Sequence, residues 1–205
     1  MCFVSDNHYF ASSPDGPLVT REITVNLNGN KTKVLTAGGI FSPEHIDQGT
    51  QVLLTHIESA NPSGNFLDMG CGWGPIALAL ALQSPKATVY AIDVNERSLE
   101  LTKMNAEKLS LTNIIVCKPE EVPKDIQFDE IWSNPPIRVG KAVLHEILEL
   151  WLNKLASGGT ARLVVQKNLG SDSLHKWLME TLSPAFESTR VDTSKTFRVL
   201  KVSRL

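Results

Sequence analysis

The stretch Asp68-Met69-Gly70-Cys71-Gly72-Trp73-Gly74-Pro75 decides the fold. Before it, Asn65-Phe66-Leu67-Asp68-Met69 has the length and apolar content of a short strand. After it, Pro75 to Gln83 reads as a helix with proline in its first turn. Three glycines between them let the chain turn sharply and let a ligand approach main-chain atoms. The helix N-terminus behind the turn presents free N–H groups. A strand, a glycine turn and a helix in this order suit a nucleotide-like ligand at the carboxyl end of a parallel strand. The spacing is G-x-G-x-G followed by proline, which fits the G-x-G-x-x-G of dinucleotide sites badly.

Working outward, the next strand, Ala87 to Ile92, ends at Asp93, where a carboxylate can accept both ribose hydroxyls of an adenosine. Asn95 caps a helix running from Glu96 to about Leu109. Asn113–Cys117 and Phe128–Ser133 read as strands, Lys141–Leu155 as an amphipathic helix stopped by Ser157-Gly158-Gly159, Thr160–Gln166 as a strand and Ser171–Leu182 as a helix. Residues 186–191 and 195–203 read as a closing antiparallel pair. Upstream, Ile23–Leu27 and Lys33–Leu35 flank Asn28-Gly29, a hairpin turn. Ser42-Pro43-Glu44 reads as the start of a helix running to about Ser59. Repeated strand–helix units predict an α/β fold: a Rossmann-like, doubly wound, mostly parallel seven-stranded sheet with an antiparallel C-terminal strand pair and a small N-terminal hairpin extension.

The 205 residues are 42% apolar and 20% charged, an ordinary globular composition. A chain of this length buries roughly 70% of its unfolded surface and needs neither disulfide nor metal to hold a core. Twenty Lys+Arg stand against 22 Asp+Glu, which excludes a cationic surface for wrapping nucleic acid and leaves room for a local basic patch. Cys2, Cys71 and Cys117 are odd in number and form no CxxC pair, which favours a reducing, cytoplasmic setting. The N-terminus has no basic segment followed by an apolar one, and the longest apolar run, Ile76 to Leu82, is short of a membrane span. The five histidines are scattered, so no metal is inferred, and no protease helix, P-loop or G-x-S-x-G elbow occurs.

The second chemical signal is Ser133-Asn134-Pro135-Pro136-Ile137-Arg138, which follows the fourth core strand. Two prolines fix φ and remove two N–H donors. What remains is a rigid stretch rich in acceptors: the Asn134 side-chain oxygen and the Pro135 carbonyl. Such a pair suits a planar –NH2 group, each N–H giving one hydrogen bond and the nitrogen lone pair left aimed at an electrophile.

Asp68-x-Gly70-x-Gly72-x-Gly74, Asp93-Val94-Asn95 and Asn134-Pro135-Pro136-Ile137 together resemble the class I S-adenosylmethionine-dependent methyltransferases. Within that class the chain is similar to the small-domain branch that includes the small-subunit rRNA guanine-N2 methyltransferases, and to its short bacterial members with only the catalytic domain. The resemblance runs from His8-Tyr9-Phe10 to the final strand and takes in Gly39-Ile40-Phe41-Ser42, Asp47-Gln48-Gly49-Thr50, Asn105-Ala106 and Ile137 to Lys141. It implies S-adenosyl-L-methionine as cofactor and an exocyclic amine, most readily guanine N2 in rRNA, as acceptor. It implies cofactor contacts from Asp68, Gly70, Cys71, Gly72, Gly74, Asp93 and Val94, and from Asp47 and Thr50. The amine would be held by Asn134, Pro135, Pro136 and Ile137. Protein glutamine or DNA adenine methylation, or a non-catalytic scaffold binding cofactor and RNA, are the alternatives. Residues 1–41 then read as an extension packed on a methyltransferase domain of residues 42–205.

Two positions depart from the family pattern. Ile137 stands where an aromatic residue often stacks on the target base, so stacking must come from another ring, or apolar contact suffices. Val116-Cys117-Lys118-Pro119 stands where the third strand commonly ends in an acid facing the adenine, leaving a backbone group, Glu120 or Glu121 for that contact. Arg138, Lys141 and Lys167 lie just beyond strand ends and are the candidates for contacting substrate, an RNA such as rRNA or a ribosomal particle. The tail cations Arg190, Lys195, Arg198, Lys201 and Arg204 read as wet-face charges rather than a phosphate footprint.

Overall fold

Alternating apolar and amphipathic runs become alternating strands and helices in the computed structural model. The order is β1 (Thr20–Leu27), β2 (Asn30–Ala37), α1 (Gln48–Leu54), β3 (Ser63–Met69), α2 (Pro75–Gln83), β4 (Lys86–Ile92), α3 (Glu96–Lys108), β5 (Ile114–Cys117), β6 (Phe128–Ser133), α4 (Lys141–Leu152), β7 (Leu155–Gln166), α5 (Ser171–Thr181), β8 (Phe186–Thr193) and β9 (Phe197–Arg204). The structure describes residues 16–182, 184–194 and 196–205. Cys2, His8-Tyr9-Phe10 and Lys195 lie outside the described residues.

Phe66, Leu67, Asp68 and Met69 are all buried, so β3 is covered on both faces. A strand with that pattern belongs in the middle of a parallel sheet. β3 pairs in parallel with β4 on one side and β6 on the other. The sheet order is β5-β4-β3-β6-β7-β9-β8, with β9 antiparallel to both its neighbours. The fold is the Rossmann-like, mostly parallel seven-stranded sheet expected, with its antiparallel C-terminal pair. The chain leaves β3 toward β4 and later returns to β3's other flank as β6, so a crevice opens between the carboxyl ends of β3 and β6.

Two apolar clusters fill the sheet's faces. One joins Leu27, Val34, Leu53, Ala77 and Leu101, so the hairpin, α1, α2 and α3 share a face. The other joins Leu67 and Leu163 to Leu144, Leu148, Leu174 and Leu178 of α4 and α5. Helix α2 is apolar all round and Ile76 to Ala81 are all buried. A helix of that kind needs cover on its outer side too. The hairpin provides it: Asn28 (φ +50°) and Gly29 (φ +81°) form the two-residue turn, and Asn28 Nδ2 donates to Ala79 O at 2.9 Å.

Two expectations are corrected. The helix anticipated from Ser42 begins at Gln48 and ends at Leu54, with a separate 3-10 turn at Ile57–Ser59. Ser42 has φ +46°, outside helical space, and its hydroxyl donates to His45 O rather than capping. The cap is Asp47, whose Oδ2 accepts from Gly49 N at 2.8 Å and Thr50 N at 3.3 Å. Ser157-Gly158-Gly159 does not end α4, which stops at Leu152, but lies inside β7, where pairing with β6 shifts register between Phe128 and Glu130.

Gly159 is where main chains come closest in that shifted segment. A Cβ there would lie 2.9 Å from both Ala156 O and Phe128 O, backbone atoms that cannot swing aside. Gly159→Ala should destabilise the protein by about 1–3 kcal/mol, read as a lower urea midpoint with an unchanged slope.

Candidate active site

Asp68, wholly buried, joins strand to helix: its Oδ2 accepts from Ala77 N in the first turn of α2 at 2.8 Å. Its other oxygen is buried with no hydrogen-bond partner among the described residues. Burial pushes the carboxyl from its ordinary 3.8 up to about 8, against the pull of the Ala77 N–H. The loop beyond it is tied down through its own amides, Gly70 N and Cys71 N both donating to Ile92 O at 2.9 Å. Gly70 (φ +79°) and Gly72 (φ +58°) take a left-handed backbone, and a Cβ on either would meet no atom within 4 Å. Both therefore leave main-chain atoms open to a ligand.

Asp93 braces this loop from β4. Its Oδ2 accepts from Gly72 N and its Oδ1 from Asn95 N, both at 2.9 Å. Burial raises its pKa while those backbone donors oppose the rise. Thr102 Oγ1 donates to Gly72 O at 2.9 Å and lies 3.5 Å from Cys71 Sγ. Burial pushes the Cys71 thiol well up, helped by the Asp93 and Asp68 charges. A thiol held in its protonated form is a poor nucleophile.

A strap, residues 38–42, crosses above the loop and is pinned by its carbonyls. Arg97 Nη1 donates to Gly38 O at 2.8 Å, Asn95 Nδ2 to Gly39 O at 3.0 Å and Trp73 Nε1 to Ser42 O at 3.2 Å. Asn105 is fully buried and links hairpin to loop: it accepts from Leu35 N at 2.6 Å and donates to Leu35 O and Trp73 O at 2.9 and 3.0 Å. The glycine loop and the N-terminal hairpin are thus one hydrogen-bonded unit.

The Asn-Pro-Pro corner faces this unit across the crevice. Ser133 Oγ donates to Met69 O at 2.7 Å, tying the end of β6 to the end of β3. Pro136 (φ −74°, ψ 76°) is the centre of an inverse γ-turn closed by Ile137 N donating to Pro135 O at 2.8 Å. Pro135 O keeps a second lone pair. Ile137 is half-buried and packs into the α4/α5 cluster. The large ring exposed at the pocket is Phe41, 53% accessible.

Phe41, Ser42, Asp47, Thr50, Gly70, Cys71, Gly72, Trp73, Pro75, Ile76 and Asn134 wall one pocket. The crevice therefore gathers six of the sequence candidates: Asp47, Thr50, Gly70, Cys71, Gly72 and Asn134. Asp68 sits behind the wall and Gly74 packs on Thr102. Asp93 stands under Gly72, and Val94 beside it is half exposed. Arg138 and Lys141 are exposed and Lys167 half-buried; they follow the carboxyl ends of β6 and β7, on the pocket's side of the sheet. Phe41, Ser42, Pro75 and Ile76 were not assigned to the site from the sequence, although Gly39-Ile40-Phe41-Ser42 was noted as a motif; Trp73 is the tryptophan whose place beside the glycine loop points to a pocket wall.

The surroundings of two other stretches are also defined. Glu121 Oε2 accepts from Lys118 N at 2.7 Å, so this acid caps its own turn, and Lys118 pairs with Glu96 at 2.7 Å. In the tail, Arg190 pairs with Asp172 at 3.1 Å, Arg198 lies 3.7 Å from the same carboxylate, and Arg204 donates to Leu155 O and Asn153 O. No helix among the described residues is long and apolar enough to cross a membrane. No cluster of His, Cys, Asp or Glu among them is arranged to hold a metal ion.

The family model described as "Methyltransferase small domain" matches residues 31–201. An uncharacterized protein of Bacillus subtilis, YbxB, is 32% identical over 201 residues, covering 97% of this chain and 98% of the relative. Ribosomal RNA small subunit methyltransferase C of Psychromonas ingrahamii is 28% identical over 86% of this chain and 50% of its own length. Among solved structures, a Thermus thermophilus 16S rRNA N2 methyltransferase in complex with AdoMet and guanosine superposes with a TM-score of 0.78 at 24% identity, over 94% of this chain and 52% of that one. That likeness is one of fold. The chain spans about half the length of these two methyltransferases.

The raised pKa of Asp68 gives stability a definite pH slope. Between pH 3.8 and about 8 the native carboxyl holds a proton that the unfolded chain releases. Stability from this group is therefore full below pH 3.8 and is lost as pH rises toward about 8. Asp68→Asn keeps an acceptor for Ala77 N and cannot titrate. Urea midpoints measured across that window should fall less steeply with pH in the variant than in the parent.

Proposed function

The chain belongs to the methyltransferase small domain family and is an S-adenosylmethionine-dependent methyltransferase, and from that premise we propose that its acceptor is the exocyclic N2 amine of a guanine in ribosomal RNA. A cytoplasmic setting goes with that acceptor. The residues around the glycine loop suit the cofactor: Gly70 and Gly72 leave the main chain open to its approach. When bound, S-adenosylmethionine supplies a methyl group already activated on a sulfonium sulfur. The chain's own work is then alignment and exclusion of water.

The observation that carries the reading is the state of Asn134. Both hydrogens of its amide are engaged, Nδ2 donating to Asp47 Oδ2 at 2.9 Å and to Thr50 Oγ1 at 3.1 Å. Its Oδ1 accepts no hydrogen bond from a described residue, and Pro135 O beside it has a lone pair left. Two acceptors on a corner without donors match the two hydrogens of a planar amine and stabilise positive charge growing on its nitrogen. The proton can leave after transfer, so no general base is needed. We assign Asp93 to the ribose hydroxyls: its two oxygens accept from Gly72 N and Asn95 N, and the carboxylate keeps further acceptor capacity. Arg138, Lys141 and Lys167 are assigned to RNA phosphates. Phe41, the exposed ring, takes the stacking role that Ile137 cannot fill. The relatives named as rRNA methyltransferases support RNA over DNA or protein as acceptor.

Transfer of labelled methyl to RNA, DNA and protein pools tests this: the reading expects label in RNA alone, with the modified base mapped as N2-methylguanine. Label in the DNA or protein pool, or cofactor binding with no label in rRNA from a strain lacking the gene, would overturn it. Asn134→Ala should lower turnover by about 10²–10³-fold with cofactor affinity little changed. Asp93→Ala should instead weaken cofactor binding by about 10- to 100-fold, the scale of losing hydrogen bonds to a charged group. Calorimetric titration with the cofactor separates the two variants.

A further inference from the structure

An asparagine at the edge of a pocket can present either end of its amide, because a half-turn about χ2 exchanges C=O and NH2 without changing shape. Only the carbonyl end can accept from an amine. Turned the other way, Asn134 would meet an exocyclic –NH2 donor to donor. What sets the orientation lies on another element. Asp47, just before α1, turns Oδ2, an acceptor, toward Asn134 Nδ2 at 2.9 Å. Thr50 Oγ1 takes the second amide hydrogen at 3.1 Å. A flipped amide would set oxygen against the Asp47 carboxylate.

Asp47 is itself immobilised. The same Oδ2 accepts from Gly49 N at 2.8 Å and Thr50 N at 3.3 Å, so one oxygen caps the helix and holds the amide. Gly49 is seated in turn: a Cβ there would lie 2.9 Å from Phe197 Cε1 and 3.0 Å from Asp47 Oδ2. The ring of Phe197, at the start of β9, thus backs the first turn of α1 so closely that a Cβ at Gly49 would have to displace it. We infer that Asp47, assisted by Thr50, is the positioning residue that fixes the Asn134 amide with its carbonyl toward the acceptor amine. This role differs from the cofactor contact that family resemblance implies for both residues. It rests on the reading of Asn134 given under Proposed function.

Serine caps a helix about as well as aspartate, but its single, shorter oxygen cannot reach the cap amides and Asn134 together. Asp47→Ser should therefore leave α1 formed and lower kcat by about 100-fold, the scale of misplacing a reacting group, with KM for S-adenosylmethionine little changed. Asp47→Asn, whose amide oxygen can take the same donors, should recover turnover relative to Asp47→Ser. In a double-mutant cycle, Asp47→Ser should cost nothing further in an Asn134→Ala background, because its effect runs through that amide. Both rates are read on rRNA from a strain lacking the gene.

An arm that needs no substrate is NMR of the Asn134 side-chain NH2. Its two hydrogens should be resolved and slow to exchange in the parent and lose that protection in Asp47→Ser. Additive losses in the cycle, a fall in cofactor affinity with kcat retained, or an Asn134 signal indifferent to Asp47 would each overturn the inference. A parent that labels no RNA would instead overturn the substrate reading, while the NMR arm still decides whether Asp47 holds the amide.

Discussion

The joint between β3 and α2 carries the pocket. Asp68, next to the last residue of a strand buried on both faces, puts its carboxyl on the first turn of the next helix, out of reach of solvent. Burial favours the protonated carboxyl against the pull of that contact, and the contact sets how far the glycine loop projects past the sheet. Everything laid over the loop inherits this position: the Asp93 clamp on Gly72, the strap whose Ser42 carbonyl rests on Trp73, and the corner tied back to Met69 through Ser133. A burial cost of this kind persists in a structure where the surroundings over-determine the geometry.

Asparagine side chains supply much of that over-determination by behaving as pieces of backbone. Asn105 pairs with Leu35 as a neighbouring strand would, then reaches Trp73. Asn95 caps α3 with its oxygen and holds Gly39 with its nitrogen. Asn28 fastens the hairpin turn to α2. Asn105 and Asn95 satisfy donor and acceptor together, so those two amides can sit in one orientation only. Asn134 follows the same logic at the pocket, with the difference that its acceptor end is left open.

The legibility of the fold followed the range of the forces involved. β3, α2, β6 and the Asn95 cap of α3 were readable because neighbouring residues decide them: apolar runs, a proline at a helix start, a side chain bonding two or three residues ahead. Ser42-Pro43-Glu44 misled for a long-range reason. Its local chemistry suits a helix start, yet Ser42 O is drawn to the Trp73 indole and the chain takes φ +46°. Ser157-Gly158-Gly159 has the composition of a helix terminator and became strand, because β6 supplied a pairing edge and Gly159 the clearance against Phe128 O.

The sequence by itself determined the strand and helix succession, the glycine turn, the acid at the end of the next strand and the rigid Asn-Pro-Pro corner, since each is written in residues adjacent along the chain. Only the tertiary structure decided that Asp68 is sealed behind the pocket, that Phe41 walls it, and that Ile137 turns into the core. It alone put the Asp47 carboxylate against Asn134, 87 residues away, with Phe197 of the last strand backing the turn. Such pairings depend on which side of β3 the chain returns to as β6, and a crossover leaves no periodicity or spacing in the residues it brings together.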